Sequence, residues 1–164
     1  MSRIHRLDLY SSRLKPAGPK GPALTRPYSG PRGIFVMQAF FQDAEIATPL
    51  ATDGLLTCSA LALIDRRAGW HYLAHVDQSV DSLRVRESFA DYDLAESEIF
   101  ILRGPLANET GKLIMSALRM RGAHRQAREV AFPTLGFPGI TIYQGRLYQA
   151  PPRGSFVTIA QRAL

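Results

Sequence analysis

Apolar and polar positions along this chain fall into blocks, and the blocks delimit its elements. Ile34–Phe41 (IFVMQAFF) is apolar, aromatic and β-branched and reads as a strand. Asp43–Leu50 is less regular, and Thr48-Pro49 marks a bend. Leu55–Ile64 (LLTCSALALI) is apolar on both faces, so periodicity alone would allow a helix. The polar turn Asp65-Arg66-Arg67-Ala68-Gly69 and the aromatic run Trp70–Val76 (WHYLAHV) that follow it favour a β-hairpin. Val80–Tyr92 suits a short helix, and Glu98–Leu102 (EIFIL) a buried strand. Asn108 is placed to cap a helix, with Glu109 at its positive end. Leu113, Ile114, Ala117, Leu118 and Arg121 then recur at helical spacing, and Gly122 ends the pattern. Gly139–Tyr143 and Arg146–Ala150 flank Gln144-Gly145 as a second hairpin, which Pro151-Pro152 stops. Ser155–Leu164 allows one more short element. The expected architecture is α+β: a mostly antiparallel core with two or three helices packed outside.

Composition divides the chain. Five prolines and four glycines punctuate Ser11–Gly33, so residues 1–29 read as a flexible basic arm and residues 30–164 as a single domain. The formal net charge of +6 belongs to the arm region: residues 1–33 hold seven basic groups and one acid, and residues 34–164 hold thirteen of each. A neutral body is not expected to carry a specific nucleic-acid surface, while the arm remains available to an anionic partner. No apolar run reaches the roughly 18–20 residues of a membrane span. The basic N-terminus has no apolar region behind it, so the expected location is cytoplasmic; an exported effector acting in a host cytosol is the alternative.

The only cysteine is Cys58, which excludes an internal disulfide framework and a multi-cysteine zinc site. Four histidines without a second thiol give no metal constellation, and no cofactor is expected. A lone cysteine in an apolar strand is ordinarily an inert core residue. The hairpin changes its standing. A turn centred between Arg66 and Arg67 sets Ile64 opposite Gly69 and Cys58 opposite His75. Opposed residues on one face have Cβ atoms about 4.5–5.5 Å apart, close enough for a thiol and an imidazole to share a proton. His71 in that register lies roughly 13 Å along the strand and reads as a rim or packing residue. A one-residue slip would put Cys58 and His75 on opposite faces. Thr52, Asp53, Thr57 and Asp77 lie near the two strand ends, where an oxygen acceptor would fix the imidazole tautomer. Thr57, Asp77 and Trp70 are the candidates for contacting a substrate.

The spacing Thr52-x5-Cys58-x16-His75 resembles the Thr/Cys/His signature of the CheD-type chemoreceptor glutamine deamidases. Leu56-Thr57 stands here where those proteins usually carry Gly-Ser. A closer resemblance is to the protein N-terminal asparagine amidohydrolase family. It rests on Gly30-Pro31-Arg32-Gly33 leading into Ile34–Gln38, on Thr52-Asp53, Thr57-Cys58 and Gly69, and on Leu73-Ala74-His75-Val76-Asp77. Phe132-Pro133 and the Ile140–Ala150 hairpin add to it. The resemblance implies a thiol amidohydrolase on a β-sandwich-like core with helices outside. It implies Cys58 as nucleophile, His75 as general base and acid, and Thr52 or Asp53 as support. The expected substrate is a protein or peptide bearing Asn or Gln, with N-terminal Asn first and protein glutamine second. A non-catalytic binding module on the same fold is the further alternative.

Overall fold

Two apolar runs around Arg66-Arg67 form the hairpin on which the rest of the chain is assembled. The structure, a computed structural model, describes residues 20–24, 26–132, 138–149, 158–159 and 162–164. The first six strands are β1 (Lys20–Ala23), β2 (Ile34–Phe35), β3 (Phe40–Glu45), β4 (Leu50–Thr52), β5 (Ser59–Asp65) and β6 (Trp70–Val76). Helix α1 (Ser82–Ser88), strand β7 (Glu98–Arg103) and helix α2 (Asn108–Met120) follow. Then come β8 (Ala127–Ala131), β9 (Ile140–Tyr143), β10 (Arg146–Gln149), β11 (Thr158–Ile159) and β12 (Arg162–Ala163). The larger sheet has the order β1-β8-β7-β5-β6-β3-β12, and the smaller β10-β9-β4-β2-β11. Among the described residues the protein is therefore a mixed α+β fold with two sheets and two α-helices.

Strand β5 explains the apolar run with no polar face, because every one of its residues is buried. On one side Ala60, Ala62, Ile64 and Leu73 pack with Phe100 and Leu102 against Val36, Leu50, Ile140 and Ile142 of the smaller sheet and its surroundings. On the other side Leu61, Leu63, Tyr72, Ala74 and Val76 meet Val85 of α1, Phe89 at its C-terminal cap, and Ile114, Ala117 and Leu118 of α2. A strand covered on both faces needs apolar residues at consecutive positions. Each fully buried leucine or isoleucine there contributes about 2 kcal/mol.

Several expectations are corrected. Ile34–Phe41 is not one strand: β2 belongs to the smaller sheet and β3 to the larger, and the chain crosses between them through Ala39, whose φ is +66°. The Ala39 N–H bonds to the His75 carbonyl at 2.9 Å, which fixes the crossing beside β6. The mostly antiparallel pairing holds among the described residues, where six strand pairs run antiparallel, while β1–β8, β7–β8, β2–β4 and β2–β11 run parallel. Asn108 is the first helical residue of α2 and not its cap; Ala107 holds that position without a side-chain hydrogen bond. The end of the proposed arm belongs to the fold. Residues 1–19 lie outside the described residues, but β1 pairs with β8, Leu24 is fully buried, and Tyr28 N–H bonds to the Gln149 carbonyl at 3.0 Å. The prolines of this stretch are compatible with an edge strand, where a missing N–H costs little. Gln144 and Gly145 both have positive φ, at 50° and 70°, as a two-residue hairpin turn requires.

Candidate functional site

The hairpin register brings Cys58 and His75 to one face, but not opposite each other. Ala60 faces His75, Ile64 faces His71 and Asp65 faces Trp70. The loop therefore has four residues, not two. The Asp65 carboxylate accepts the Ala68 N–H at 2.8 Å, its carbonyl accepts the Gly69 N–H at 2.9 Å, and Gly69 turns the chain at φ +75°. The pairing is displaced by two positions from the expected one, so the face is preserved. Cys58, just before β5, shares the face of Ala60 and stands diagonal to His75, where Cβ separations are about 7–8 Å.

The imidazole is held in one tautomer. The Thr52 hydroxyl lies 2.6 Å from the Val36 carbonyl oxygen and 2.7 Å from His75 Nδ1. A carbonyl only accepts, so the hydroxyl donates to Val36 and must accept from Nδ1–H. His75 Nε2 is then the bare lone pair, and it is buried without a hydrogen-bond partner among the described residues. Thr52 is fully buried and His75 is 4% exposed. Burial lowers the His75 pKa to about 4, against a smaller raising effect from the Asp77 carboxylate.

Asp77 sits beside both groups. Its side chain accepts from Gln38 Nε2 at 2.8 Å, from the Ser79 N–H at 2.8 Å and from the Ser79 hydroxyl at 2.5 Å. Burial raises its pKa, but the bonds from Ser79 and Gln38 and the nearby His75 outweigh that and leave it lowered. Cys58 is 5% exposed. Its pKa is raised, chiefly by burial and also by the Asp77 charge, with the Thr57 hydroxyl acting the other way. The resting pair is thus a neutral thiol and a neutral imidazole. Alkylation should report this directly: the iodoacetamide rate at Cys58, followed by mass spectrometry, should rise about tenfold per pH unit across the neutral and mildly alkaline range without levelling off. Asp77→Asn should shift that profile to lower pH. A plateau below about pH 8 in the wild type would instead indicate a resting thiolate.

The turn carrying Cys58 is pinned from the β7–α2 connection. Gly104 N–H bonds to the Cys58 carbonyl at 3.1 Å and Leu106 N–H to the Leu56 carbonyl at 2.9 Å. A Cβ at Gly104 would lie 2.8 Å from the Cys58 carbonyl oxygen and closer still to those of Leu55 and Leu56, so only glycine fits. The Thr110 hydroxyl reaches the Thr57 carbonyl at 3.2 Å. Among the described residues, the Thr57 and Cys58 N–H groups donate to no backbone carbonyl.

No protein-family model matches the chain, and no curated protein matches it.

Cys58, His75, Thr52, Thr57 and Asp77 come together, and Asp53 follows Thr52 on a half-buried position without taking the contact to His75. Trp70 does not join them. It lies five residues from His75 and packs on the helix-covered side, 4.3 Å from the Tyr92 ring centroid. An odd separation along a strand places two side chains on opposite faces. His71 shares the His75 face but serves elsewhere. It is fully buried, and its Nε2–H donates to the Thr48 carbonyl at 2.6 Å, tying down the bend before β4. Burial also lowers its pKa to about 4. Gln38, Ser79 and Gly104 were missed; the only sequence signals were a polar residue interrupting an apolar run and the Asp77-x-Ser79 spacing that suits an Asx turn. Among the described residues, no three His, Cys, Asp or Glu side chains gather as a metal site would need. No helix there is long and apolar enough to cross a membrane.

Proposed function

We propose that the protein is a thiol-dependent amidohydrolase that deamidates a protein side-chain carboxamide, N-terminal Asn to Asp in the first instance. The observation that carries this reading is the bare, buried Nε2 of His75, whose tautomer Thr52 dictates, on the same face as the only thiol. His75 Nε2 takes the Cys58 proton as sulfur attacks the carboxamide carbon. The N–H groups of Thr57 and Cys58 stabilise the oxyanion. His75 then gives its proton to the departing nitrogen, and ammonia leaves a thioester. Water, deprotonated by His75, hydrolyses the thioester to a carboxylic acid and restores the thiol. Asp77 and the Thr52 oxygen favour the transient imidazolium. Thr57 and Asp77 flank the reacting group as substrate contacts, and no cofactor enters the chemistry.

Ammonia release from peptides that begin with Asn, begin with Gln, or carry internal Gln tests the reading, with wild type and Cys58→Ala in parallel. Turnover of the Asn-first peptides, absent in Cys58→Ala, is the expected result. Turnover of internal Gln alone would reassign the substrate to protein glutamine, as in the chemoreceptor deamidases. Equal ammonia release by folded Cys58→Ala would sink the mechanism. A second reading, a binding module with an inert thiol, draws on the raised Cys58 pKa. It predicts no turnover of any peptide or folded protein amide.

A further inference from the structure

A cleft of about 720 Å³ opens at the far end of the hairpin from Cys58. A smaller cavity of about 320 Å³ lies between Phe41 and Arg84, and neither contains Cys58 or His75. The seven residues of β5 separate the Arg66 turn from Cys58, roughly 23 Å at strand rise. Four arginines from four segments converge on the larger cleft: Arg26 after β1, Arg66 in the β5–β6 turn, Arg128 of β8 and Arg146 of β10. Among the described residues, the only acid lining it is Glu98. That carboxylate is shared, at 2.8 Å from Arg66 and 3.3 Å from Arg128. Among the described residues, Arg26 and Arg146 have no ion-pair partner.

The body of the chain is neutral, so this local excess is a matter of placement and not of composition. Four guanidiniums against one carboxylate leave the cleft near +3, and like charges brought together repel. An anion removes that cost. Two of the guanidiniums are already oriented: Arg66 is held by Glu98, and Arg128 lies 4.7 Å over the Phe100 ring. Rigid guanidinium forks match phosphoryl oxygens in pairs. The volume falls in the usual range for small-molecule sites, about 300–1,000 Å³. Leu147 and Tyr148 give the cleft one less polar wall.

We propose that this cleft binds an organic diphosphate, a small molecule carrying two linked phosphoryl groups on a moiety that rests against Leu147 and Tyr148. The site is separate from Cys58 and His75 and stands whether or not the amidohydrolase reading does.

Titration calorimetry of the full chain with ADP, AMP, inorganic pyrophosphate and a single-stranded oligonucleotide tests it. Saturable ADP binding is expected, tighter than AMP and tighter than pyrophosphate. Arg26→Ala/Arg146→Ala should weaken it at least tenfold, with an unchanged thermal midpoint showing that the fold is intact. Arg119→Ala/Arg125→Ala removes the same charge from exposed positions elsewhere and should leave ADP binding within twofold. Equal weakening in both double variants, or no saturable ADP binding, would overturn the site. Pyrophosphate binding tighter than ADP would overturn the organic moiety. Oligonucleotide binding that displaces ADP and strengthens with chain length would replace the proposal with a nucleic-acid surface.

Discussion

His75→Ala is expected to lower kcat/KM for the peptide amide by about 10⁴-fold, the upper end of what a positioned acid–base group supplies. Its partner Thr52 separates orientation from mere bulk. Thr52→Val keeps the shape but leaves the Val36 carbonyl and His75 Nδ1–H without the hydroxyl that joins them. Two buried groups lose their bonds, which costs about 1–3 kcal/mol each in stability. The imidazole also loses its reason to keep the proton on Nδ1, and turnover should fall about 10²-fold. Thr52→Ser restores the hydroxyl and should recover most of that loss at similar stability. The acid limb of the kcat/KM profile should fall near pH 4, because burial holds His75 neutral down to about that value. If Thr52→Val matches wild type in both turnover and pH profile, Thr52 does not set the tautomer.

The hairpin and the face of the candidate site were legible because both depend on period two. Apolar runs on either side of a charged turn fix which strands pair, and parity fixes which side chains share a layer. The register was not legible. It depends on loop length, and four residues won over two because the Asp65 carboxylate caps Ala68 and Gly69 supplies a left-handed residue. Parity also excludes Trp70, which an odd separation sets across the sheet from His75. The choice between Thr52 and Asp53 is tertiary: β4 belongs to the other sheet, and only its packing over β6 brings Thr52 to the ring. Strands β1 (KGPA) and β8 (AREVA) carry almost no local signal. Their pairing joins segments more than a hundred residues apart, with Lys20 opposite Glu129.

Mild acid should destabilise this protein sharply, through two histidines with different jobs. His71 and His75 both have pKa values lowered to about 4 in the fold, each chiefly by burial. In the unfolded chain both return to about 6.5. Between those values the unfolded chain binds more protons, so stability is full above about pH 6.5 and declines as pH falls toward 4. At about pH 5 each histidine costs about 2 kcal/mol, and the pair about 4, against a typical total of 5–15. Asp77 acts in the same direction but lower on the scale, since its lowered pKa places its loss below 3.8. Urea unfolding at about pH 7.5 and pH 5 measures the difference. His71→Gln keeps an N–H donor for the Thr48 carbonyl but cannot titrate, so it should remove about half of the pH dependence. Because His71 lies outside the candidate site, that substitution should leave amide turnover at neutral pH unchanged, while His75→Gln should remove a similar share of the pH dependence and the turnover with it. An undiminished pH dependence in both variants would place the acid sensitivity on other groups.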